Sequence, residues 1–362
     1  MHAWIDSDTA LTTWIAQHSD STLVALDTEF MRTNTFAPIL ALVQVKLGDE
    51  IALLDSTRLG AHAALAARLR DPANICLMHS ASEDLEALAS VVPSGPATLF
   101  DTQIAAAMAG FGFGLSYQKL VATLFGVDLP KSETRSDWLQ RPLSAAQLDY
   151  AAQDVAWLPQ IHARLADALE SLGRSEWLAE DCSRLVERVR RATLDSQPQR
   201  AFRSAFDWPR DNQILLRRLL RWRETAARHY DKPRSWLLDD AHALDLAQRP
   251  PTDDDQLFER TKGLRALRSA PRAEVLALLQ APLGEDDAAT TAIPPPMSSA
   301  EKRAATAMKD AVADIARQLD LPEGLLCPRR HIEAFLTDRA WPGALEGWRK
   351  PLLFDPLNAK LP

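Results

Sequence analysis

Asp27 and Glu29, in Asp27-Thr28-Glu29-Phe30 at the end of an apolar run, carry the strongest local chemical signal in this chain of 362 residues. Residues i and i+2 of a strand point to the same face, so the two acids stand side by side. Adjacent anions repel unless a cation or a shared proton relieves them, and oxygen ligands of this kind suit Mg2+ or Mn2+. An isolated D-x-E is more commonly a solvated strand end, so the meaning of the pair depends on further acids. Asp84 lies in His79-Ser-Ala-Ser-Glu-Asp84, past the apolar strand Ile75 to Met78 and within a helix start, where α/β folds place functional groups. Tyr150 and Asp154 are four apart, hence on one helix face together with Gln147. Asp101, in Phe100-Asp101-Thr102, reads as a helix N-cap rather than a further ligand.

The elements that must carry these residues are partly visible in the pattern. Leu23 to Phe30, Ile39 to Leu47 and Glu50 to Asp55 are β-rich runs joined by short polar turns and read as a three-strand meander. Helical stretches at Leu59 to Arg70 and at about Ser82 to Ser90 flank the strand Ile75 to Met78, which argues for α/β layers around one mixed sheet. From Leu115 to about Gly173 the pattern is almost purely helical. Ser144 and Gln147 form a capping box that opens a long helix running toward Leu172, kinked near Pro159. After Arg200 no strand is evident, and Ala227, Arg228, Asp231, Pro233 and Leu237 recur 89 positions on as Ala316, Arg317, Asp320, Pro322 and Leu326, as two related helical modules would require. Between them, Ala281 to Ser299, with Pro294-Pro295-Pro296, reads as a stiff linker.

The ordered set is more specific than its parts: D-x-E ending a strand, H-x-x-x-x-D about 50 residues later, and Y-x-x-x-D on a helix about 70 beyond that. It resembles the DEDD 3′–5′ exonuclease superfamily, in the branch whose last motif carries tyrosine. Lys131-Ser-Glu-Thr-Arg-Ser-Asp-Trp138 and Arg141-Pro-Leu143, leading into Tyr150-Ala-Ala-Gln-Asp154, look specifically like ribonuclease D. The C-terminal modules look like the helicase-and-RNase-D C-terminal (HRDC) domains that follow that nuclease. The resemblance implies an α/β ribonuclease H-like 3′–5′ exonuclease domain, a mixed sheet flanked by helices, over 1–200. Two all-α HRDC-type helical domains follow, at 205–285 and, in divergent form, at 299–362, with the Pro-rich linker at 286–298. It implies two divalent ions, Mg2+ or Mn2+, with Asp27 bridging both and Glu29 and Asp154 completing one. Asp84 would act on the other through water, and Tyr150 would position the attacking water. The implied substrate is RNA, tRNA precursors with 3′ extensions above all, and the implied state is a monomer. A proofreading-type 3′–5′ DNA exonuclease shares the carboxylates, and an inactive nucleic-acid-binding adaptor is the alternative outside enzymology.

Charge limits how such a substrate is held. The formal net charge is −8, and residues 1–200 carry 16 Lys and Arg against 25 Asp and Glu, so polyanion binding must use local patches. Arg217, Arg221 and Arg228 fall within about 40° of one another on a helix, opposite Leu215, Leu219, Trp222 and Ala226, and form one candidate patch. Lys131 and Arg135 are candidates for backbone contacts, and Trp138 for stacking on a terminal base or for core packing. Cys76, Cys182 and Cys327 are too few and too scattered for a disulfide framework or a zinc knuckle and read as buried thiols. No apolar run reaches about 18 residues, and the N-terminus, with Asp6, Asp8 and Asp20, is unlike a signal peptide, so the expected location is cytoplasmic, away from any membrane.

Overall fold

The computed structural model describes residues 2–130, 136–191 and 194–362. Within them, six strands form one mixed sheet: β1 (His2–Ile5), β2 (Leu23–Met31), β3 (Ile39–Leu47), β4 (Glu50–Asp55), β5 (Ile75–Met78) and β6 (Leu99–Asp101), in the order β1-β4-β3-β2-β5-β6. The expected meander is present: β3 pairs antiparallel with both β2 and β4. Its flanks close parallel, β1 on β4, β5 on β2 and β6 on β5. The four-residue β1 and three-residue β6, like the first helix, are too short or too polar to announce themselves by periodicity. Val24, Ala25 and Leu26 of β2 are fully buried because the strand is central and covered on both faces. The register of β2 on β3 slips between Glu29 and Phe30, directly after the two acids. Such irregularities re-aim side chains at strand ends.

Among the described residues, eight helices of the N-terminal part accompany the sheet: α1 (Asp8–Gln17), α2 (Ala63–Arg70), α3 (Ser82–Leu88), α4 (Thr102–Met108), α5 (Tyr117–Phe125), α6 (Ala145–Ala156), α7 (Leu158–Ser171) and α8 (Ser175–Arg191). The expected long kinked helix is two, α6 and α7, divided at Trp157. Pro159 lacks an N–H and its ring crowds the carbonyl four residues back, so the first helix ends there and proline serves at the start of the next. Gly173, at φ +65°, supplies the left-handed turn between α7 and α8.

The chain divides into two units, one of Met1–Met31, Pro38–Ala192 and Ser299–Pro362, the other of Arg32–Ala37 with Thr193–Ser298. The second unit holds α9 (Arg210–Tyr230), α10 (Arg234–Leu237), α11 (Asp240–Gln248), α12 (Asp254–Arg260), α13 (Ser269–Gln280) and α14 (Glu285–Ala288) around Leu216, Leu219, Leu220, Leu246 and Val275. The stretch read as a linker is part of this packing. Ile293 is buried in that core, and Asp286 and Asp287 of α14 pair with arginines of α9. The prolines there end the module rather than space it from another. In the first unit, α15 (Ser299–Gln318), α16 (Glu323–Leu326), α17 (Arg329–Asp338) and α18 (Lys350–Asn358) pack with the α/β layers. Trp348 stacks on Trp177 of α8 at 4.5 Å, and Arg349 reaches Asp181 at 2.6 and 2.7 Å. The three cysteines are free and buried, and no helix among the described residues is long and apolar enough to cross a membrane.

Candidate active site

Asp27 and Glu29 leave β2 on the face that α6 covers, and Asp154 comes down from α6 to meet them. These three half-buried residues offer carboxylate oxygens that all lie within 4.8 Å of one another. α6 is fixed at both ends. Ser144 Oγ accepts from the Gln147 N–H at 3.2 Å while Gln147 Oε1 accepts from the Ser144 N–H at 2.9 Å. At the other end, Lys46 Nζ donates to the Ala156 carbonyl at 2.9 Å, and the Tyr117 hydroxyl donates to the Gln153 carbonyl and accepts from the Trp157 N–H. A helix pinned in this way sets Asp154 by backbone position rather than by side-chain adjustment.

Tyr150, one turn before Asp154, is hydrogen-bonded to its carboxylate. Its ring packs on a small core of Ala41, Leu42, Leu53, Trp138, Leu143 and Ala151. Asp84 opens α3 outside the three-carboxylate cluster, where its Oδ1 accepts from Thr28 Oγ1 at 2.5 Å. Strand alternation turns Thr28 away from its two acidic neighbours, so the motif's middle residue positions the acid from the other motif. That role was not read from the sequence, because nothing in D-x-E marks the central side chain. Asp101 is the N-cap expected: its buried carboxylate accepts from the backbone N–H groups of Ser80, Ala81, Gln103 and Ile104, tying the loop before α3 to α4.

Burial drives the electrostatics and like charge reinforces it. Asp27 is held well above the ordinary carboxylate range by burial first and then by Asp84, Asp154 and Glu29. Glu29 is pushed up to about 9 by burial and by Asp154 and Asp84. Burial lifts Asp154 to about 7 against the hydrogen bond from Tyr150, and Asp84 to about 6 against the bond from Thr28. The Tyr150 hydroxyl is raised too, by burial and then by Asp154. A set of hard oxygen donors whose mutual repulsion a dication would cancel fits a divalent metal.

The expected nucleic-acid contacts fare differently. Lys131 and Arg135 lie outside the described residues. Trp138 is only 3% exposed and packs beside Tyr150, ring centroids 6.1 Å apart, so it serves the core and offers no open face for stacking. Arg217 is 2% exposed and bonds the Ser196 carbonyl at 2.8 Å and Asp286 at 3.0 and 3.1 Å. Arg221 also pairs with Asp286, and Arg228 with Glu224 at 3.0 Å while lying over the Phe36 ring. The stripe is thus largely neutralised by acids within its own unit. The counter-charge of Arg217 and Arg221 sits in α14, more than 60 positions away in sequence, where helical periodicity cannot reveal it.

Known proteins carry the same architecture. A family described as 3′-5′ exonuclease matches residues 2–170, and one described as HRDC domain matches 212–266. The chain is 42% identical to the ribonuclease D of Xanthomonas oryzae pv. oryzae over 98% of its own length and 96% of that protein. It is 31% identical to the ribonuclease D of Escherichia coli, over 92% of each. The crystal structure of Escherichia coli RNase D, described as an exoribonuclease involved in structured RNA processing, superposes with a TM-score of 0.86 at 29% identity, over 99% of this chain and 98% of that one. With the exonuclease fold, an HRDC domain and full-length relatives in agreement, the chain belongs to the ribonuclease D family and is a 3′–5′ exoribonuclease.

Proposed function

We propose that Asp27, Glu29, Asp84 and Asp154 hold two divalent cations, Mg2+ or Mn2+, and with Tyr150 cleave the 3′-terminal phosphodiester of structured RNA, tRNA precursors with 3′ extensions above all. The observation that carries this reading is the convergence of Asp27, Glu29 and Asp154 within 4.8 Å at a buried strand end. When bound, divalent cations supply positive charge to the attacking and the leaving oxygen together. The protein's own groups set the geometry. Tyr150 is too weak an acid to act as the base near neutrality, so its hydroxyl, anchored on Asp154, orients the water for in-line attack on phosphorus. The P–O3′ bond breaks, the terminal residue leaves as a nucleoside 5′-monophosphate, and the shortened chain keeps a 3′-hydroxyl. Trp138 and the core under Tyr150 keep that residue from swinging out.

We assign 1–200 to the nuclease and 205–285 to an HRDC domain, and place a second, divergent HRDC-like domain at 299–362, in a protein acting as a monomer. Support for structured RNA comes from the description of the Escherichia coli relative. Lys131 and Arg135 are assigned to backbone phosphates by type and position alone. Degradation of a 5′-labelled, 3′-extended tRNA transcript, beside single-stranded DNA of equal length, tests the proposal. Stepwise 3′ shortening of the tRNA, slower on DNA and stopped by EDTA, is the expected result. Equal rates on DNA would point to a proofreading-type DNA exonuclease, and tight tRNA binding without shortening in either metal to an adaptor.

A further inference from the structure

Gln44 is fully buried in the middle of β3, yet neither its amide nitrogen nor its carbonyl oxygen has a hydrogen-bond partner. Among the described residues no other side chain leaves two buried polar atoms unmet. Leucine or methionine would fill a similar volume without that penalty. The register shows what glutamine faces there. Gln44 sits directly across from Asp27 on β2 and from Leu53 on β4, on the face covered by α6. Its other polar neighbours on that face are committed: Lys46 to the Ala156 carbonyl, and Asp55 to Arg141 at 2.6 Å and to Thr57. The α6 residues buried above the sheet, Ala151 and Val155, are apolar. Asp154 and Tyr150, also on this face, are hydrogen-bonded to each other, so Asp27, directly paired with Gln44 and with Glu29 one diagonal step beyond, is the carboxylate that the register sets against the carboxamide.

We propose that Gln44 is a positioning residue for the carboxylate cluster, its amide N–H donating to the ionised Asp27 carboxylate and holding it in the orientation that receives a cation. Directly paired cross-strand residues have Cβ atoms about 4.5–5.5 Å apart, so rotation of the Gln44 side chain alone can make this bond. Groups that orient a metal ligand without touching the metal change metal affinity or activity by about 10–100-fold when removed. The inference rests on Asp27 being a ligand.

The test is Mn2+ titration of the RNA-free protein, wild type, Gln44→Leu and Gln44→Met, followed by steady-state kinetics on 5′-labelled RNA and thermal melting in EDTA. Mn2+ affinity should fall about 10–100-fold in both variants. kcat should fall with KM for RNA unchanged, and both should melt close to wild type in EDTA, because a side chain of similar volume refills the site. Wild-type Mn2+ affinity in either folded variant overturns the inference, and so does failure of both to fold, which would make Gln44 a packing residue. Asp27→Ala, titrated alongside, separates the two levels. Unchanged Mn2+ affinity there sinks the site assignment, whereas lost affinity there with wild-type affinity in Gln44→Leu sinks only the role of Gln44.

Discussion

Each carboxylate of the cluster holds its proton more tightly in the folded, metal-free protein than in the unfolded chain, and this has a definite sign in stability. Glu29 titrates at about 9 against an ordinary 4.5, Asp154 at about 7 and Asp84 at about 6 against 3.8. Between those ordinary values and the raised ones the folded state carries more protons than the unfolded state, so stability falls as pH rises through the window. The contribution is fully retained only below about pH 4, and for Glu29 it continues to decline up to about pH 9. In EDTA, the melting temperature of Glu29→Gln should gain on that of wild type as pH rises from about 5 to about 9, and saturating Mn2+ should close the gap by stabilising wild type. A constant difference across that range would mean that Glu29 is not under this load. At this scale the sequence was informative: the acid types and their spacings singled out Asp27, Glu29, Asp84, Tyr150 and Asp154. Thr28 and Gln44 were not legible, because their significance depends on which strand faces which, and register is a long-range property.

Helices α6 and α9 show where local pattern suffices and where it fails. The start of α6 is written in Ser144 and Gln147, and its end in Pro159, because caps and proline act within one turn. The basic face of α9 was equally visible, but its exposure was not. Arg217 is enclosed by packing and Arg221 shares Asp286 with it, while Arg218 bonds Asp287 and pulls that carboxyl down to about 2. The acids of α14, which looked like linker polarity, are the partners of Arg217, Arg218 and Arg221. Arg217→Ala should therefore destabilise the protein by about 2–5 kcal/mol, in the range of other large buried truncations. Arg217→Met, which keeps the bulk, should leave the salt dependence of RNA binding unchanged. Urea denaturation and affinity measured across salt concentrations check the pair. A salt slope shallower by about one in Arg217→Met would return this residue to the phosphate-binding surface.

For the whole molecule, the weak repeat at offset 89 suggested two related helical modules, the second divergent, and the two differ in what they pack with. Residues 299–362 lie in one unit with the α/β layers, joined to α8 by the Trp177–Trp348 stack and the Arg349–Asp181 pair. Glu180 accepts from the Trp348 N–H at 3.0 Å, and Gly347 passes so close to the Glu180 carboxylate that any side chain there would collide with it. The α/β layers and the helical C-terminal part were legible in the hydrophobic period, and the exonuclease–HRDC order in the resemblance, whereas this packing depends on single residues more than 160 positions apart. Asp181→Ala leaves the Arg349 guanidinium buried without its anion and should lower stability by about 3–5 kcal/mol in urea denaturation. A change below about 1 kcal/mol would class the pair with ordinary surface bridges. The role proposed for the acids converging at the end of β2 is 3′–5′ hydrolysis. Its most direct test is single-turnover release of the 3′-terminal nucleotide from 5′-labelled RNA in Mg2+, comparing wild type with Asp154→Asn at matched RNA occupancy. The rate of the chemical step should fall by at least about 100-fold with RNA still bound. Release at the wild-type rate by Asp154→Asn would contradict that role.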